Sequence, residues 1–160
     1  MRGRYSPPPG ADRITRVGPH TFGAFDLSTP AAEHFLASVF AGRWGLPPQV
    51  VYTDLPYNQT ILTRFEGWAG RKSGARIAAL YARVIRFCLP APELYFETGT
   101  GMLQALLDLL SVTDKPIFGP YQITYARGKK VAWLVKAGSG YGSKGFSGMD
   151  DSDKIGRAHV

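Results

Sequence analysis

With 160 residues, 44% of them hydrophobic and 19% charged, the chain suits one folded domain with a real core and excludes an intrinsically disordered one. Its formal net charge of +7 and pI near 9.7 favour an anionic partner, nucleic acid first, although many basic proteins have none. A single cysteine, Cys88, excludes a disulfide framework and fits a reducing, cytoplasmic compartment.

The N-terminal MRGRYSPPPG has basic residues but no apolar core after them, so it is not expected to be a secretory signal. No apolar run is long enough to span a bilayer, and no membrane partner is expected. Residues 1–20, rich in Pro, Gly and Arg, read as a flexible lead-in. Thr29 and Pro30 then look like an N-cap and a first-turn proline, with Glu33 in the first turn. Phe35, Leu36, Val39 and Phe40 share one helical face, and Gly42 is a plausible stop. After Pro47 and Pro48 comes a strand over 49–53 that stops on Asp54 and turns through Leu55-Pro56-Tyr57-Asn58.

The clearest helix carries Ile77, Leu80, Tyr81, Val84, Ile85 and Cys88 on one face and Arg76, Arg83 and Arg86 on the other. Pro90 and Pro92 end it. A short strand, 94–96, closes on Glu97, and Gly99 and Gly101 turn the chain into a helix bearing Leu103, Leu106, Leu107 and Leu110. Two further strands, 117–125 and 130–136, read as a hairpin with Gly128 available for a positive φ. The order is helix, strand, helix, strand, helix, hairpin. It predicts an α/β fold whose mostly parallel sheet carries an antiparallel hairpin at one edge. Ligands of such sheets bind beyond the C-terminal ends of the strands, where Asp54 and Glu97 fall.

Asp54-Leu55-Pro56-Tyr57 resembles the Asp/Asn-Pro-Pro-Tyr/Phe signature of S-adenosylmethionine-dependent methyltransferases acting on exocyclic amines, and Asn58 also recurs in such motifs. An exocyclic amine of adenine or cytosine shares its lone pair with the ring and is a poor nucleophile. Two acceptors, the Asp54 carboxylate and the carbonyl of Leu55 or Pro56, can take its N–H bonds and aim the lone pair at the sulfonium methyl. The resemblance implies catalytic roles for Asp54, Pro56 and Tyr57, with Tyr57 stacking on the extruded base. It further implies substrate contacts by Leu55 and Asn58, and a cofactor contact by Asp54. The fold it implies is part of a Rossmann-like methyltransferase domain over 21–137, whose last strand is antiparallel, with DNA the expected substrate.

Leu55 stands where the DNA enzymes usually have proline, and is closer to the Asn-Leu-Pro-Tyr-Asn of ribosomal RNA adenine dimethylases, so an RNA adenine methyltransferase is the second reading. A non-catalytic α/β nucleic-acid-binding module, or an inert fragment, is the third. No glycine-rich cofactor loop precedes the motif, which suggests the permuted order in which that loop follows the hairpin. Gly138, Gly140 and Gly142 form G-x-G-x-G but lead into no helical pattern, so 138–154 reads as a Gly-rich linker towards a missing second half. Ile155 to Val160 is what ATC GGA AGA GCA CAC GTC encodes, a run resembling a sequencing adaptor, and is expected to be read-through of library DNA.

Other candidates carry less. His20, His34 and His159 with one cysteine give no metal-ligand spacing, and no metal is expected. Cys88 reads as a buried thiol and Asp26 as turn chemistry. Glu97 reads equally as a strand cap or as a residue ordering substrate or cofactor. Arg64, Arg71, Lys72 and Arg76, interleaved with Phe65 and Trp68, read as a solvated helix face with a lean towards nucleic acid.

Overall fold

Thr29 and Pro30 start the first helix as their chemistry dictates. Thr29 is extended (φ −108°, ψ 154°), its hydroxyl accepts from the Ala32 N–H at 3.4 Å, and Pro30 takes a position that needs no donor. The computed structural model describes residues 13–70, 74–124 and 131–138. In chain order they form β1 (Arg13–Val17), β2 (His20–Ala24), α1 (Pro30–Phe40), β3 (Val50–Asp54), α2 (Gln59–Trp68), α3 (Ile77–Cys88), β4 (Glu93–Gly99), α4 (Thr100–Ser111), β5 (Ile117–Thr124) and β6 (Val131–Gly138). These elements fall into two units, one of residues up to Pro47 with Gln59–Phe87, the other of Pro48–Asn58 with Cys88 onward.

The first unit holds β1, β2, α1, α2 and nearly all of α3. Residues 13–20, expected within the lead-in, instead belong to an antiparallel hairpin that turns at Gly18, whose φ is +58°. Phe35 on α1 stacks on Phe25 (4.8 Å between centroids) and lies 6.0 Å from Trp44, whose indole N–H donates to the Ser38 hydroxyl at 2.8 Å. On α3, Tyr81, Val84 and Ile85 are buried, as the apolar spacing requires. Arg83, on the other face of α3, is held by neighbouring groups. It donates to the carbonyls of Leu27 (2.9 Å) and Thr29 (3.4 Å), approaches Glu33 at 3.7 Å, and lies 5.1 Å from the Phe87 ring.

The second unit is built on a four-stranded sheet in the order β3-β4-β6-β5. β3 and β4 pair in parallel; β6 is antiparallel to both β4 and β5. The sheet is therefore mixed rather than mostly parallel; the β5–β6 hairpin occupies one edge as expected, with β6 as its inner strand and β5 outermost. Burial explains this order. β6 carries the nearly unbroken apolar run Val-Ala-Trp-Leu-Val, which suits an interior strand, whereas β5 contains Gly119 and Pro120, which suit an edge. β4 is buried along its whole length, and Leu94, Phe96 and Val135 are fully enclosed with Leu106 and Leu110 of α4. The turn expected around Gly128 lies outside the described residues.

Gly138 ends β6 with φ +101°, and its N–H donates to the Pro116 carbonyl at 2.9 Å. A Cβ there would run into the Pro92 carbonyl, so this glycine serves a close backbone approach in the sheet. The other glycines of the G-x-G-x-G run lie outside the described residues.

One polar cluster is enclosed in this sheet. Lys136 is 3% exposed, and its ammonium has no hydrogen-bond partner among the described residues; it sits 4.6 Å from the Phe118 ring centroid. Beside it the Tyr95 hydroxyl donates to buried Glu93. Burial pulls the Lys136 pKa below 10.5, and the Glu93 charge opposes that only in part. The charged form thus costs the folded state at neutral pH, and the cost is shed as pH rises from the lowered folded value towards the unfolded one. Lys136→Met is expected to stabilise the fold by about 1 kcal/mol in chemical denaturation at pH 7. A destabilisation of that size would show that the ammonium is paired.

Candidate functional site

Asp54 closes β3 and faces Glu97 of β4 in parallel register. The ladder continues one step into the turn, where the Leu55 N–H donates to the Glu97 carbonyl at 3.1 Å. Leu55 is 5% exposed, so its side chain belongs to the core and any contact with a ligand is left to its backbone. Proline at 55 would delete that donor, which gives leucine a structural reason here. The parallel register and this bond place the Asp54 carboxylate, still partly solvent-exposed, at the C-terminal edge of the β3–β4 pair.

Glu97 is the residue whose role the sequence left open, and the structure gives it partners. It is 9% exposed and accepts from two tyrosines: Tyr52 Oη to Oε2 at 2.7 Å and Tyr57 Oη to Oε1 at 3.0 Å. These bonds cross 45 and 40 sequence positions, so no local pattern signals them. Tyr57 is clamped from a second side. A Cβ on Gly99 would lie 2.7 Å from Tyr57 Cβ and 2.9 Å from its Cγ, so the tyrosine packs where only glycine leaves room. The expected turn glycine is thus also the floor beneath the motif's aromatic residue.

Asp54 is electrostatically poised. Partial burial first, and the negative charge of Glu97 second, raise its pKa above the ordinary aspartate value. A carboxylate in that position gains from any N–H donor that approaches it. Glu97→Gln keeps the shape and removes the like charge, so the Asp54 titration is expected to move to lower pH. Carbon-detected NMR of the Asp54 carboxyl measures this directly; an unmoved titration would remove Glu97 as a cause.

Of the sequence-predicted site residues, Asp54, Leu55, Pro56, Tyr57 and Asn58 form one turn: Pro56 and Tyr57 are half-buried and Asn58 is exposed. Cys88 is buried and its thiol is pushed up to about 11 by burial, which makes it inert at neutral pH. Asp26 accepts from the Ser28 N–H (2.9 Å) and hydroxyl (2.6 Å), the turn chemistry expected of it. Arg64 and Arg76 are exposed on the first unit; Arg71 and Lys72 lie outside the described residues. The α2 helix that carries Arg64 was missed in the sequence, although Ile61, Leu62, Phe65 and Trp68 follow helical spacing.

Among the described residues no group of three or more His, Cys, Asp or Glu side chains could hold a metal ion, and no helix is long and apolar enough to cross a membrane. Comparison with protein-family models, with curated proteins and with solved structures finds no match.

Proposed function

We propose that the turn from Asp54 to Asn58 holds the exocyclic amine of adenine or cytosine, in DNA, for methylation from S-adenosylmethionine. The observation that carries this is the pairing of an acceptor with a fixed aromatic. A carboxylate of raised pKa ends β3, and three residues on, Tyr57 is held by Glu97 and seated on Gly99. The antiparallel course of β6, the last described strand, supports the same reading, because the resemblance implies a last strand of that sense.

The roles of the residues follow from their chemistry. Asp54 accepts one N–H of the amine, and the carbonyl of Leu55 or Pro56, held by the proline-containing turn, accepts the other. Both contacts draw the nitrogen lone pair out of ring conjugation. Tyr57 offers a ring face to the base, and Glu97 anchors the hydroxyl end of that ring. Bound S-adenosylmethionine supplies an electrophilic methyl on a positively charged sulfonium, and the negative charge of Asp54 suits that neighbour. Gly99 and Gly138 leave no room for a cofactor, since Gly99 is filled by Tyr57 and Gly138 by the Pro92 carbonyl. The roles given to Asp54–Asn58 concern the amine side of the reaction.

One observation favours RNA as the second reading. Leu55 matches the leucine of the ribosomal RNA adenine dimethylases, and its N–H is used by the fold. Competition between DNA and RNA for methyl incorporation by the protein decides between them. The reading proposed here expects DNA to be methylated and excess RNA to compete poorly; methylation confined to RNA would replace it with the second reading.

A further inference from the structure

We propose that α2 presents a stacking platform for unpaired nucleotides, with Phe65 and Trp68 taking bases and Arg64 and Arg76 taking phosphates. The helix buries little: among its residues only Leu62 is buried. Its Arg64, Phe65 and Trp68 fall on adjoining positions of the outer surface by helical spacing, since Arg64 and Trp68 are four apart. Phe65 and Trp68 are each 46% exposed, and their rings lie 5.6 Å apart at 42°. Two large aromatic side chains side by side at the surface leave apolar ring area facing water, which favours a partner with flat faces of its own.

The charges select which flat partner. Arg64 and Arg76 are exposed and have no ion pair among the described residues. The carboxylate of the helix, Glu66, is two positions from Arg64 and so faces elsewhere. Arg76 is brought to the start of α2 by Gln59, whose side-chain amide donates to the Ala75 carbonyl (2.9 Å) and accepts from the Ile77 N–H (2.9 Å). An exposed aromatic pair with Arg64 beside it and Arg76 near the other end of the helix, in a chain of net charge +7, complements a strand whose bases are free to stack and whose phosphates repeat along it. A duplex hides those base faces, so the platform suits single-stranded DNA or RNA, or a locally opened strand. The proposal takes the partner class from the proposed function and nothing else, since stacking at α2 needs no chemistry at Asp54.

The test is binding of a fluorescently labelled 12-nucleotide oligothymidylate to the 160-residue chain, followed by anisotropy at several salt concentrations. Single strand is expected to bind more tightly than a duplex of equal length. Phe65→Leu and Trp68→Leu each weaken binding about tenfold, in the lower half of the range for loss of one base stack. Phe65→Tyr restores it, because a tyrosine ring stacks as well. Arg64→Gln lowers the salt slope by about 0.7, the value for one phosphate contact on a single strand. All three substituted positions are exposed, so far-ultraviolet circular dichroism should stay unchanged. No binding by the parent chain overturns the platform. So does binding that ignores both aromatic substitutions, or that responds to Arg64 alone. If these substitutions instead dissociate a dimer seen by sedimentation without altering oligonucleotide affinity, the patch is a protein contact and the proposal fails. These outcomes leave the Asp54 reading intact, since methyl transfer is measured separately.

Discussion

Replacing Asp54 with alanine lowers the rate of methyl transfer by about 10²–10³, the usual cost of removing one preorganised partner of a reacting group. The loss is expected in the transfer step, with nucleic-acid affinity nearly unchanged, because the acceptor contact matters most when the lone pair leaves conjugation. Single-turnover rates and a separate binding titration distinguish the two. The same carboxylate has the opposite effect on stability. Its folded-state pKa is raised, so the fold favours the protonated form, and stability falls as pH rises through the folded value. Asp54→Asn is therefore expected to stabilise the protein at neutral pH by a few tenths of a kcal/mol, a small effect because the group is partly exposed. A variant that gains stability and loses transfer marks a residue kept for chemistry. An undiminished rate in Asp54→Ala would remove Asp54 from the reaction.

Gly99→Ala carries the second large effect, at a residue that touches no substrate. The added methyl would sit 2.7 Å from Tyr57 Cβ, the root of the side chain rather than its tip. Rotating the tyrosine about its own bonds does not remove that contact, so the turn must shift, and with it the carbonyls of Leu55 and Pro56 that we propose as acceptors. A displacement of the order of 1 Å in such a group costs about 10² in rate. The overpacking itself costs about 1–3 kcal/mol of stability. Thermal melts and transfer rates, measured together, should show a folded protein with a large rate defect. An unchanged rate would mean that the Tyr57 position has no bearing on the chemistry.

The elements legible in the sequence are those that declare themselves locally. α1 has a threonine cap and a first-turn proline, and α3 has an uninterrupted apolar period stopped by Pro90, so both lie where their patterns put them. The motif at the end of β3 is legible for the same reason: an acid, a proline and an aromatic residue are adjacent in the chain. What was not legible depends on contacts distant in sequence. The Glu97 bonds to Tyr52 and Tyr57 require the β3–β4 register, which nothing within either segment specifies. The insertion of β6 between β4 and β5 is a choice among pairings, and only the heavier burial of β6 points to it. β1 and β2 escaped because their residues are mostly exposed and rich in arginine, threonine and glycine, so they lack the apolar alternation that marks a half-buried strand. α2 has helical spacing but weak local preference, since Thr60, Ile61 and Thr63 are β-branched and Gly67 falls within it.

The central claim is that this edge of the sheet prepares an exocyclic amine for alkylation, and the position of the transferred methyl tests it most directly. The protein is incubated with isotopically labelled S-adenosylmethionine and DNA, the DNA is digested to nucleosides, and the labelled product is identified by mass spectrometry. The label is expected on the exocyclic nitrogen of adenine or cytosine, and it should disappear with Asp54→Ala. Label on a ring carbon, or no transfer to any nucleic acid, would contradict it.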